Sequence, residues 1–441
     1  MKLKLLFFIL LGILFSQDCK NIQLLYNDAS YLEASEKIKL LDISNSNECL
    51  YLGFNIHFVL EDFNESKNYL DQLLKLDSEN TEYNQKSKLL EKILQKYKAA
   101  KYTLDKIDID EAITEYTALL SDSELSTISI FHSGLATAYK KKDRTESFSD
   151  SLNFEYLDLS VKSYKNAYSL NPHKSHDEEI LNVAKYLTNL GKNSMKNDEL
   201  DYSMKYLSKA IEYDSSYPAA NFYLGNLYMK IQDYELAIES YKAGLGSKVK
   251  KGNYKILYLL GSSYQRLGNL DKAKEFFEYS LNNKSSYTKA RFALANVLYS
   301  QQNYEESKQY LLEIIDNEPS YIKAYELLVN LFLDTKKYNQ AREYSMQGID
   351  INSKSYFLYS QLAFLDNENQ QYSQAIENSK EALSLKRNYG PALIALATAN
   401  VYLCNLVAAE DAFKRAKSYD RRQVSQLQEW AKEHNKTVCK K

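Results

Sequence analysis

The sequence predicts an all-α chain, an α-solenoid of stacked helical hairpins, and three observations predict it. Leucines recur as Leu190, Leu224, Leu260, Leu294, Leu328, Leu362 and Leu396, at intervals of 34, 36, 34, 34, 34 and 34 residues. A period of that length marks a helical repeat. Each leucine is followed by a residue that is usually small (Gly191, Gly225, Gly261, Ala295, Val329, Ala363, Ala397). Thirteen positions past each leucine stands a second small column: Ser203, Ala237, Ala273, Ser307, Ala341, Ala375 and Ala409. Finally, 12 Gly and 4 Pro among 441 residues leave too few turn-formers for a sandwich, a propeller or a many-stranded α/β fold.

The columns have a packing reason. Spacings of three, four and seven within each half-period place the apolar residues on one helical face. An aromatic or leucine stands three positions before the second small column, as Leu200, Tyr234, Leu270, Tyr304, Tyr338, Tyr372 and Leu406. Four positions after that column comes a bulky residue, Leu207, Tyr241, Phe277, Leu311 or Phe413, with Ser345 and Ser379 as exceptions. Small residues facing bulky ones let two helices approach closely. One hairpin cannot hide its apolar face alone, so neighbours must stack. Pro172, Pro218, Pro319 and Pro391 all fall at junctions between units, outside helix interiors where each would cost about 3 kcal/mol.

Taken in order, residues 1–17 carry Lys2 and Lys4, an apolar run from Leu5 to Phe15 and the small Ser16, the layout of a secretory signal peptide. The run is too short for the roughly 20 helical residues that a membrane span needs. The expectation is therefore an exported chain, periplasmic or secreted, touching a membrane only if this segment is retained. Residues 18–177 hold looser units with insertions or longer helices. Residues 178–420 form the regular array. Residues 421–441 read as a capping helix and tail, with the sole Trp430 plugged into the last unit. The stretch from Lys140 to Ser151 reads as a solvated loop interrupting a unit.

Charge and chemistry exclude several classes. The 56 basic and 58 acidic side chains sum to −2, which gives no basic surface for nucleic acid. No phosphate-binding glycine loop, nucleophile elbow or zinc-protease motif occurs, so neither an enzyme nor a cofactor is expected. His173 and His176, followed by Asp177, Glu178 and Glu179, are the one dense group of metal-ligand types, and they read as a solvated helix start rather than a metal site. Four cysteines, Cys19, Cys49, Cys404 and Cys439, allow three connectivities. Pairing Cys19 with Cys49 and Cys404 with Cys439 would staple both ends; free buried thiols are the alternative.

Segments such as Phe222 to Tyr228 followed by Asp233 to Ile238 resemble the tetratricopeptide repeat family, and the strong resemblance spans about residues 178–420, seven units. Looser units follow the same register upstream: Gly53 with Phe63, Ser66 and Leu70; Ile109, Ala112 and Tyr116; Leu157, Ser160 and Tyr164; and Tyr31, Ala34 and Ile38. The resemblance implies about eleven units in a right-handed superhelix whose first helices line a concave, protein-binding groove. Projected onto it, the partner-binding residues are Phe222, Asn226, Lys255, Tyr258, Lys289, Phe292, Asn296, Lys323 and Asn330. Amides there would meet an extended backbone, lysines would hold acidic groups, and rings would bury apolar side chains. The function expected is an exported scaffold or adaptor for proteins or peptides. The competing expectation is a self-associating component of a cell-envelope assembly.

Overall fold

The computed structural model describes residues 18–41, 43, 46–146, 153–173, 176–246 and 253–439, the side chains of 144–146 excepted. The signal-peptide reading of residues 1–17 lies outside the described residues. Among those described, a first helix, α1, covers residues 18–27 and is followed by α2 (Tyr31–Ile38), α3 (Asn47–Val59), α4 (Phe63–Leu76), α5 (Thr81–Lys106) and α6 (Ile109–Leu119). Then come α7 (Ser129–Glu146), α8 (Glu155–Leu170), α9 (His176–Lys196), α10 (Leu200–Tyr213), α11 (Pro218–Lys230) and α12 (Tyr234–Leu245). The regular part continues as α13 (Tyr254–Arg266), α14 (Leu270–Asn283), α15 (Thr288–Ser300), α16 (Tyr304–Asn317), α17 (Ile322–Asp334) and α18 (Tyr338–Ile351). The last helices are α19 (Tyr356–Glu368), α20 (Tyr372–Leu385), α21 (Gly390–Tyr402), α22 (Leu406–Ala416) and α23 (Arg421–His434). No strand occurs among the described residues, and no helix there is long and apolar enough to cross a membrane. Helices α1 to α22 pair consecutively into hairpins and α23 follows as a cap, so the chain is an all-α solenoid. Two compact units divide it, Met1–Leu224 and Gly225–Lys441, with the boundary inside α11.

The repeat columns become the core. In the second unit the second small column is buried throughout and the leucine column as far as Leu362, with Leu396 partly buried: Leu260, Leu294, Leu328, Ala237, Ala273, Ser307, Ala341 and Ala375 are all fully covered. The aromatic or leucine of each period is the first residue of the second helix of its hairpin, as with Tyr234, Leu270, Tyr304, Tyr338, Tyr372 and Leu406. In two of these helices the residue just before caps the start: Asp233 accepts from the Leu236 N–H at 3.1 Å and Asn269 from the Lys272 N–H at 3.1 Å. The residue before the cap turns the chain through the left-handed region. Gly268 does so at φ 78, and Gln232, Gln302, Lys336, Gln370 and Cys404 do so at φ 57 to 67.

The first unit departs from a simple stack. Some of its helices are longer: α5 has 26 residues, α9 has 21 and α7 has 18. Its hairpins also touch beyond their immediate neighbours. The Glu61 carboxylate accepts from the N–H of Ser129 at 2.6 Å and from its hydroxyl at 2.8 Å, capping α7 from 68 residues away. The Asn171 amide donates to the Val59 carbonyl at 2.9 Å, and the His173 ring meets Tyr31 edge-on at 4.8 Å. The unit therefore closes on itself, because polar groups at its junctions find partners across it.

Two sequence expectations are corrected here. The stretch from Lys140 is not a loop throughout: α7 continues to Glu146, where Lys140, Lys141 and Lys142 pair with Glu179 (2.6 Å), Asp105 (2.9 Å) and Asp110 (2.7 Å). Three carboxylates on facing helices explain why a lysine run stays helical; the rest of that stretch, residues 147–151, lies outside the described residues. The start of α9 is solvated at Asp177 and Glu178 but not at His176. His176 is buried and its Nε2 lies 3.2 Å from Ser129 Oγ, while His173 turns to Tyr31.

The bridges Cys19–Cys49 and Cys404–Cys439 join Cα atoms 5.8 and 5.5 Å apart. Trp430 of α23 packs against the core formed by Leu393, Ala397, Val401 and Phe413, with Tyr402 5.2 Å from its ring.

Candidate partner-binding groove

The site is built on the first helices of three consecutive hairpins, α13, α15 and α17. On each, positions spaced i, i+3 and i+7 share one face: Lys255, Tyr258 and Ser262; Lys289, Phe292 and Asn296; Lys323, Glu326 and Asn330. That face is the one the leucine column leaves free. Lys255, Lys289 and Lys323 are exposed, while Tyr258, Phe292, Asn296 and Asn330 are half-buried. Asn226, also half-buried, stands in the corresponding position at the end of α11. Phe222, earlier on α11, belongs to the first unit, where its ring meets Tyr223 edge-on at 5.2 Å.

Among the described residues none of the three lysines has an ion-pair partner, in contrast to neighbours such as Lys274 and Lys308. Lys255 Nζ lies 5.9 Å from the Tyr254 ring, and Lys284 Nζ lies 4.8 Å from the same ring. The amides differ among themselves. Tyr241 donates its hydroxyl to Asn226 Oδ1 at 2.7 Å, which orients that amide with its donor edge unspent. Asn296 and Asn330 make no side-chain hydrogen bond among the described residues.

Rings the sequence reading passed over complete the face. Tyr258 meets Tyr287 at 5.5 Å and Phe277 at 5.8 Å; Tyr254 meets Tyr287 at 4.8 Å; Phe292 meets Tyr321 at 5.5 Å. Burial first, then the neighbouring Tyr258 and Tyr254, pushes the Tyr287 hydroxyl above its ordinary range. Tyr321 is raised by burial, then by Tyr258, Glu318 and Tyr287. These phenols stay protonated and available as donors. Tyr287 and Tyr321 lie 34 residues apart at the junctions ahead of α15 and α17, so the period itself carried the signal.

The face changes one hairpin further on. Glu326 accepts from Ser355 Oγ at 2.9 Å, Ser360 is buried and Phe364 is exposed, so the lysine and ring pattern ends with α17.

Tetratricopeptide repeat models match residues 190–254, 254–285, 288–321 and 322–355. No curated protein matches the chain in sequence. Among solved structures the chain is similar to a protein described under the functional characterisation of Pseudomonas aeruginosa pilF. The identity is 20%, over 48% of this chain and 96% of that one, with a TM-score of 0.43. It is also similar to a tetratricopeptide repeat protein from Parabacteroides merdae (20% identity, 59% and 98% covered, TM-score 0.39) and to one from Thermus thermophilus (17% identity, 40% and 98% covered, TM-score 0.34). The assignment rests on the matched repeats and on the chain's own hairpin geometry. Those repeats occupy the hairpins that carry the lysines and rings, and residues 190–355 of the chain are tetratricopeptide repeats.

Proposed function

We propose that the chain is an exported scaffold or adaptor that grips an extended, acidic segment of a partner protein along α13, α15 and α17. One observation carries the reading: Lys255, Lys289 and Lys323, one per hairpin, are exposed with no ion-pair partner among the described residues, the first two beside the half-buried rings of Tyr258 and Phe292. An unpaired cation held over an apolar strip favours a ligand that brings both negative charge and apolar side chains. The pre-formed face meets an extended segment without first paying to order itself. Tetratricopeptide repeats are non-catalytic scaffolds for protein interaction, which supports the coarse reading; the apolar run within residues 1–17 and the two cysteine pairs support export.

The test is binding of fluorescent extended peptides of matched length, acidic, neutral and basic, to the purified chain. Acidic peptides bind, and affinity falls with salt. The variant Lys255→Glu/Lys289→Glu/Lys323→Glu, with unchanged helicity, loses that binding. Equal binding of all three peptides, or an undiminished affinity in the triple variant, would overturn the proposal.

A further inference from the structure

We propose that α23 is a redox-released cap: a small dithiol reductant opens the Cys404–Cys439 bridge while the chain's other bridge is spared, and the cap then leaves the last hairpin. The two bridges differ in access. Cys19 and Cys49 are 4% and 5% exposed, within the core of the first unit. Cys404 is exposed, in the left-handed turn between α21 and α22 at φ 58, and Cys439 is half-buried just past the end of α23. A thiolate must reach a bridge sulfur along the S–S axis, so an exposed bridge exchanges and a shielded one does not.

The cap depends on that tether. Val424 is the one residue of α23 that is fully buried; Leu427, Trp430 and Ala431 are partly buried. A cleft lined by Leu406, Ala409, Phe413, Gln428 and Ala431 separates part of α23 from α22. A helix of 14 residues is marginal by itself in water. The bridge closes a loop across 35 residues, and removing it raises the open population of the cap on the order of 100-fold.

The exchange balances. One thiolate of the dithiol attacks Cys404 Sγ, the Cys404–Cys439 bond breaks, and a mixed disulfide forms, with Cys439 leaving as a thiolate that takes up the proton the reductant gave to solvent. The second thiol of the reductant resolves the mixed disulfide. Two electrons and two protons end on the two cysteines, and the reductant becomes a disulfide. Departure of α23 bares Leu393, Ala397, Val401 and Phe413, the kind of face that each hairpin gives to the next.

Trp430, the only tryptophan, sits in the cap between Tyr402 at 5.2 Å and His434 at 5.5 Å, and so reports its position alone. The experiment treats the full native chain with low dithiothreitol, maps the thiols by alkylation and mass spectrometry, and follows tryptophan emission and iodide quenching. Cys404 and Cys439 are expected to be alkylated first, with a red shift of emission, a gain in quenching and little loss of helicity; reoxidation reverses all three. Cys439→Ser reproduces the reduced spectrum without reductant. The proposal is overturned if Cys404 and Cys439 are freed and emission and quenching do not change, if Cys19 and Cys49 are freed together with them, or if Cys439→Ser keeps the spectrum of the oxidised chain.

Discussion

Gly225 faces Tyr241 so closely that a Cβ added to the glycine would lie 2.5 Å from the ring's Cε1 and 2.6 Å from its Cδ1. The same relationship, a glycine facing a bulky residue sixteen positions on, joins Gly53 to Tyr69, Gly191 to Leu207 and Gly261 to Phe277. Each glycine is the hole into which the second helix of its hairpin sets a side chain. In an ordinary helix interior, Gly to Ala gains about 0.5–1 kcal/mol; here the ring cannot retreat from a buried site. Gly225→Ala is therefore expected to destabilise by about 2 kcal/mol, read as a lower urea midpoint. A rise in the midpoint would show that Tyr241 moves freely.

Left-handed turns at Gln302, Lys336 and Gln370 cost backbone energy that Gly268 avoids at the equivalent place. Gln302→Gly, Lys336→Gly and Gln370→Gly are each expected to stabilise by up to about 1 kcal/mol, with Gly268→Ala moving the other way. Thermal melts of the four variants check the opposite signs.

Asp366 is fully buried, with Oδ1 2.7 Å from Arg342 and Oδ2 accepting from the Asn378 amide at 2.7 Å. It stands where earlier hairpins carry Tyr264 or Phe332. Removing Arg342 strands the buried carboxylate, so Arg342→Met is expected to cost about 3–5 kcal/mol, and Arg342→Met with Asp366→Ala to recover most of it. A double-mutant cycle from urea titrations measures the coupling; additive losses would contradict it.

His57 is buried between Ser35 Oγ, 3.4 Å from Nε2, and Asp62, 3.5 Å from Nδ1, and it stacks on Tyr69 at 5.4 Å. Burial first, and then Lys39, holds its pKa below the ordinary 6.5, against the opposing pull of Asp62 and Glu65. A depressed folded value means that the unfolded chain binds the proton more tightly. The stability this gives is present above pH 6.5 and is lost as pH falls from there through the folded value. Between about pH 7.5 and about pH 5, wild type should lose more stability than His57→Gln. Parallel losses in the two proteins would remove His57 from the acid response.

The same register explains one of the two breaks in the bulky column. Sixteen positions separate Val329 from Ser345 and Ala363 from Ser379. In the first pair a larger residue on one helix accompanies a smaller one on the other, so the combined volume is shared differently. The second pair is small on both sides, and Asn378 next to Ser379 carries the amide that holds Asp366.

Sequence by itself determined the hairpin, its boundaries and the face left free. Leu294, Ala295 and Leu298 are buried, and Lys289 and Asn296 stand outside them, because both facts follow from spacings of a few residues that recur every 34. Tertiary structure decided what no period encodes. Glu61 caps α7 across 68 residues, His176 is buried against Ser129, and Asp366 finds Arg342 on the helix before it. It also set the unequal exposure of the two bridges. These contacts join positions that occur once each, and which of many distant groups meet depends on how the hairpins pack, a choice made by buried polar groups that must each find a partner.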